Sequence, residues 1–187
     1  MKVKIHLNPC FFLKFLGKML GNYSVSISLP EVMSYFMVSK NPLLDILEDQ
    51  IYQDTSMPHL SGNDLIRCIL EDLEKGAIPW PKEFSMIECK EWSQKMKIDT
   101  NFYLLHAESA KEMTAYEIGF LKLASNVLRK RIILVPLLET DSVQTIEPSD
   151  PRICTGQYHI AYCNKLRSDN FFLSVFPKKQ GPNEIKK

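Results

Sequence analysis

Nucleophilic or metal chemistry in this 187-residue chain would have to come from five cysteines and four histidines. The cysteines are Cys10, Cys68, Cys89, Cys154 and Cys163; the histidines are His6, His59, His106 and His159. An odd number of cysteines at irregular spacing, with no C-x-x-C pair, fits reduced intracellular thiols better than a disulfide frame. The histidines never cluster with cysteines at ligand spacing, so no zinc site is expected, and no other cofactor is assigned. His159 and Cys163 fall near a predicted strand and read as a packed strand edge. Cys10 lies at the start of "NPCFFLKFLGKMLG", where a helix N-terminus would lower a thiol's pKa and make it a candidate nucleophile. No GxGxxG or GxxxxGK phosphate loop occurs.

These residues must be positioned by elements that the apolar spacing outlines. Residues 8–21 read as a helix: Asn8 caps it, Pro9 fits the first turn, Gly21 the stop, and Phe12, Phe15, Leu16, Met19 and Leu20 form one face. "YSVSISL" (23–29) alternates like a short strand, Pro30 breaks it, and 31–38 fits helix or strand. A second Asn-Pro start opens a helix over 42–52, with Asn41 as cap and Leu43, Leu44, Leu47 and Ile51 facing a core. Ser61 and Asp64 make a capping box for a helix that Gly76 ends, with Leu65, Ile66, Ile69, Leu70 and Leu73 as its stripe. A short helix is predicted near Glu88–Met96 and a loop over 97–112. Thr114 and Glu117 cap a further helix carrying Ile118, Leu121, Ala124, Val127 and Leu128. "RIILVPLL" (131–138) reads as a buried strand, and strands follow at 157–162 and 171–176. Helices come first, then a helix and a strand meander, which indicates an α+β fold rather than a doubly wound parallel sheet.

The totals narrow the function classes. The chain is long enough for one domain with a substantial core. Hydrophobic residues are 45% and the net charge is +1, so no global field draws the chain to nucleic acid. No apolar run approaches the roughly 20 residues that span a bilayer. Lys14 and Lys18 interrupt the N-terminal apolar stretch, which disfavours a secretory signal. No acid precedes Glu31, whereas Lys2, Lys4, Lys14 and Lys18 are basic, and the tail "KKQGPNEIKK" is basic and solvated. An intracellular location, cytoplasmic or nuclear, is the expectation.

Several segments together resemble the ovarian-tumour (OTU) family of cysteine proteases, deubiquitinases with a papain-like triad. "SKNPLLDILEDQIY" (39–52) is similar to the family's nucleophile helix, D-G-N-C-L-F-R-A-L-S-D-Q-L-Y, sharing Asn41, Leu43, Leu47 and Asp49-Gln50-Ile51-Tyr52. "HLSGNDLIRCILEDLEKG" (59–76) resembles the helix that follows. "EWSQKM" (91–96) and "YEIGFLKLASNVLRKRIILV" (116–135) resemble E-Y-L-x-x-M and E-L-x-A-A-S-N-V-x-x-x-x-I-x-V. "YHIAY" and "SDNFFLSVFP" resemble the closing hairpin with its G-N-H-F-D-S-V. The match spans roughly residues 35–177, with an insertion near 98–112.

The resemblance implies an OTU-like, papain-like fold, a small β-sheet packed between helices, with 1–30 an N-terminal helical extension, 31–177 the OTU-like domain and 178–187 a basic tail. It also implies that the catalytic positions are empty of chemistry. The nucleophile falls on Pro42, which has neither a thiol nor the backbone N–H that helps hold an oxyanion. The general base falls on Phe171, the aspartate two residues later on Leu173, and the aspartate leading the nucleophile loop on Ser39. For Pro42 an ordinary helix start is a sufficient reading, and for Phe171 and Leu173 core residues on a strand. In the rival register with Cys10 as nucleophile, the chain before the 59–76 helix is too long and the base is still missing, so Cys10 reads as an ordinary cysteine. The resemblance thus implies a catalytically inactive pseudo-deubiquitinase, a protein-interaction module with ubiquitin or a ubiquitin-like protein as partner. The alternatives are an active thiol isopeptidase using Cys10, and an interaction protein unrelated to ubiquitin that uses its basic N-terminal helix.

Overall fold

In the computed structural model, residues 21–25, 42–85, 89–90, 93–94, 115–136, 142–163 and 171–178 are described. Three helices and a five-stranded mixed sheet are formed among them: β1 (Tyr23–Val25), α1 (Pro42–Gln53), α2 (Gly62–Glu74), α3 (Ala115–Leu128), β2 (Arg131–Pro136), β3 (Gln144–Ile146), β4 (Gln157–Cys163) and β5 (Phe171–Pro177). A single 3-10 turn, Pro151–Ile153, lies between β3 and β4.

The helices start and stop for local reasons. Ser61 Oγ accepts the Asp64 N–H at the head of α2 and donates to the Asp64 carboxylate at 2.7 Å. This satisfies groups that a helix terminus leaves open. Gly76, at φ +66°, takes the left-handed position after α2. At the end of α3 the same role falls on Arg129, at φ +54°, and the following Lys130 N–H reaches back to Ser125 O. The predicted caps Asn41 and Thr114 lie outside the described residues, as do residues 8–20 of the predicted 8–21 helix and the whole of the predicted 97–112 loop. Of the predicted 88–96 helix, Cys89, Lys90, Ser93 and Gln94 are helical.

The strand order is β1-β5-β4-β2-β3. β2 pairs with β4 in parallel, Ile132 opposite Tyr158, while β4–β5, β5–β1 and β2–β3 are antiparallel. This corrects two expectations. The end of the chain is not a simple meander, because β3 and the 3-10 turn carry it back so that β4 runs parallel to β2. His159 lies on the central strand rather than on an edge. The sequence reading also missed β3, whose Gln144 and Thr145 are exposed and whose Ile146 alone is buried.

One core joins the helices to one face of the sheet. Leu43, Leu47 and Ile51 of α1, Leu65, Ile66 and Ile69 of α2 and Phe120, Leu121 and Ala124 of α3 meet Ile132, Leu134, Ile160 and Tyr162, all buried. Each large apolar side chain placed there contributes about 1.5–3 kcal/mol of transfer free energy. Gly119 is required at the α3 contact: a Cβ there would stand 2.6 Å from Phe84 Cζ.

Candidate functional site

Two buried polar clusters fix α1 on the sheet. In the first, Gln50, 3% exposed on the core side of α1, donates from Nε2 to Ser174 Oγ at 2.6 Å and to Val175 O at 3.2 Å. Its Oε1 accepts the His159 N–H at 3.3 Å. The β4–β5 register ends at Ile160 opposite Ser174, while Val175–Pro177 pair with β1 on the other side of β5. Gln50 sits just beyond the last β4–β5 rung, and its amide takes the backbone groups that a further rung would have used.

In the second cluster Lys130, 3% exposed, pairs with Asp54 at Nζ–Oδ2 2.6 Å. Lys130 Nζ also donates to Ser56 Oγ at 3.2 Å, and Tyr158 OH donates to Asp54 Oδ2 at 3.1 Å. Burial pushes the Asp54 carboxyl up, but hydrogen bonds from Lys130, Ser56 and Tyr158 outweigh it and hold the group well below the usual carboxylate range. Burial, followed by the neighbouring Asp54 charge, raises the Tyr158 phenol above its ordinary value. The cluster ties the turn after α1 to the α3–β2 junction.

The two anchors also give the direction of α1. Gln50 meets β5 at Ser174 and Val175. Asp54, just past the helix, meets Tyr158, which precedes His159 on antiparallel β4 and so lies further toward the C-terminal end of β5. Hence α1 runs alongside β5 in the same direction. From Gln50 back to Pro42 is about 12 Å of helix, and from Ser174 back to Phe171 is about 10 Å of strand. The first residue of α1 and the first residue of β5 thus fall toward the same end of the layer.

Leu173 behaves differently. Strand alternation puts Phe172 and Ser174 on the α1 side, where Phe172 joins the core, and turns Leu173 to the opposite face, 2% exposed. The structure brings the Pro42 and Phe171 backbones to one end and does not bring the Leu173 side chain to the α1 face. Ser39 and the rival nucleophile Cys10 lie outside the described residues.

Cys89 is buried, Cys68 and Cys154 are half-buried, and none of these three forms a disulfide. Burial and then the nearby Glu71 push the Cys68 thiol up, which makes it a poorer nucleophile. Cys154 Sγ donates to Gly156 O at 3.2 Å. Among the described residues no group of three or more His, Cys, Asp and Glu side chains could hold a metal ion. None of the described helices is long and apolar enough to cross a membrane.

The outer face of α1 borders an open cleft of about 420 Å³ lined by Asp45, Glu48, Asp49, Tyr52 and His59. Tyr52 is 67% exposed and meets the His59 ring edge-on at 5.4 Å between centroids. Glu48 is engaged, accepting the Gly62 N–H at 2.9 Å. Sequence reasoning named none of these clusters as sites. Gln50 was visible only as part of a family-like Asp-Gln pair. Lys130 in "LRKRI" looks like any solvated basic residue, because nothing local shows that it faces inward.

Compared with protein-family models, curated proteins and solved structures, the chain matches none.

Proposed function

We propose that this chain is a catalytically inactive OTU-like domain, a pseudo-deubiquitinase that acts inside the cell as a protein-interaction module for ubiquitin or a ubiquitin-like protein. The observation that carries the reading is the Gln50–Ser174 hydrogen bond. It joins the two segments with the most informative resemblance, "SKNPLLDILEDQIY" and "SDNFFLSVFP", side by side and running in the same direction, which supports the reading, although Leu173 faces away from the helix. At the end where those segments begin, the chain supplies Pro42 and Phe171, neither of which can attack a carbonyl or accept a proton. The α+β architecture with its mixed sheet supports the same reading at a coarser level.

The activity half of the proposal is tested by incubating the purified chain with a ubiquitin-propargyl probe, which traps a reactive thiol near the ubiquitin C-terminus. No adduct is expected. An adduct that disappears in Cys10→Ser would overturn the pseudoenzyme reading in favour of a thiol isopeptidase.

A further inference from the structure

Tyr158 has one hydroxyl proton and two acceptors for it. Its OH lies 3.1 Å from Asp54 Oδ2 and 3.4 Å from Met57 Sδ. A thioether sulfur is a weak acceptor, so the carboxylate takes the proton while the sulfur stands beside it. Met57 belongs to the turn that follows α1, its N–H on Asp54 O at 3.2 Å. It packs against the core but is only half-buried, which leaves part of it open to solvent.

The polar groups around this sulfur form one connected set of described residues. Asp54 Oδ2 also holds Lys130 Nζ at 2.6 Å, and Asp54 Oδ1 accepts the Ser56 N–H at 2.9 Å and the Ser56 hydroxyl at 2.5 Å. Lys130 lies at the α3–β2 junction, whereas Tyr158 is on β4, the middle strand of the sheet. Within this set the Tyr158–Asp54 bond ties the end of α1 to β4, and Met57 is the neighbour placed to compete for it.

We propose that Met57 is an oxidation site that draws the Tyr158 hydroxyl off Asp54, so that a hydroperoxide loosens the end of α1 from β4 and a thiol-driven sulfoxide reductase restores it. In the forward step a lone pair on Sδ attacks a peroxide oxygen and the O–O bond breaks. The other oxygen leaves with the bonding pair, takes a proton and departs as water or an alcohol, so sulfur loses two electrons and the peroxide gains two. In the reverse direction two thiols become a disulfide and the sulfoxide oxygen leaves as water. Oxidation turns a flexible apolar side chain into a polar one. The sulfoxide oxygen is a far stronger acceptor than the thioether it replaces. Rotation about the Cγ–Sδ bond swings it toward a hydroxyl already in contact with the sulfur. Tyr158 serves one acceptor at a time. Asp54 keeps Lys130 and Ser56 as donors, so the ion pair survives and the tie to β4 is the bond that is lost. The sulfoxide also gives up part of the apolar packing that methionine made with the core. Both changes act on the same turn.

The test treats the full chain with hydrogen peroxide at neutral pH. Met57 is followed by peptide mass spectrometry and the Asp54 side-chain carboxyl by its carbon NMR signal. Met57 should gain one oxygen while the chain stays folded, the Asp54 signal should move in step with that conversion, and both should return with methionine sulfoxide reductase and dithiothreitol. In Met57→Leu the Asp54 signal should ignore peroxide. In Tyr158→Phe, which keeps the ring and removes the hydroxyl, the signal should start displaced and move no further on oxidation. A Met57 that stays reduced in the folded chain overturns the proposal, as does an Asp54 signal that ignores its conversion or moves equally in either variant. Should Tyr158→Phe fail to fold, Met57→Leu and the Tyr158 ring signals of the unsubstituted chain decide it: ring signals that stay still while Met57 converts refute the proposal.

Discussion

Gln50→Met keeps the length and volume of the side chain and removes only its polar end. Three groups lose a partner: Ser174 Oγ, Val175 O and the His159 N–H. The serine hydroxyl can rotate, but the two backbone groups are fixed in the strands. Each buried group left unsatisfied costs about 1–3 kcal/mol, and the extra apolar burial of methionine returns roughly 1 kcal/mol. The expected net loss is about 2–4 kcal/mol, a large part of the 5–15 kcal/mol that holds a typical domain together. For a chain of this size that corresponds to a fall in Tm of roughly 5–15 °C. Urea unfolding should show a lower midpoint at unchanged slope, since the surface exposed on unfolding is the same. Ser174→Ala, which leaves the Gln50–Val175 bond in place, should cost only about 0.5–1.5 kcal/mol. The double variant should be less destabilised than the sum of the two, because the residues share a bond. A Gln50→Met protein within 0.5 kcal/mol of the unsubstituted chain would refute the reasoning that this amide replaces a rung of the sheet.

Two further outcomes rest on particular contacts. Lys130→Met strands Asp54 in a nearly buried site and should cost about 3–5 kcal/mol, whereas adding Asp54→Leu should recover much of the loss, read in the same urea transitions. The Asp54 carboxyl has a depressed folded-state pKa, so its contribution is complete above the unfolded value of about 3.9 and is lost as pH falls toward the folded one; the unfolding midpoint should drop below about pH 4 in the unsubstituted chain and much less in the double variant. Gly119→Ala should destabilise by about 1–3 kcal/mol through the clash with Phe84, although alanine is the better helix former, and a thermal melt would show it.

Much of the fold was legible because one physical signal dominated each segment. Apolar spacing placed α1, α2 and α3, the Ser61–Asp64 pair marked the start of α2, and continuous β-branched or aromatic runs marked β2, β4 and β5. β3 left no such signal, since three residues with one buried side chain show no period. The parallel pairing of β2 with β4 was hidden for the same reason, because it depends on β3 and the 3-10 turn rather than on either strand. The polar clusters were less legible still. Gln50, Lys130 and His159 are buried by tertiary contacts with residues distant in the chain, 124 positions for Gln50–Ser174 and 74 for Lys130–Ser56, and residue type alone would have put Gln50 and Lys130 at the surface.

An inactive OTU-like domain of the proposed kind should bind ubiquitin. An NMR titration of isotope-labelled ubiquitin, and of di-ubiquitin, with the unlabelled chain decides this. Saturable shift changes confined to one face of ubiquitin are the predicted result. An unperturbed ubiquitin spectrum at the highest attainable concentration of folded protein, for both the single and the linked form, would contradict the claim.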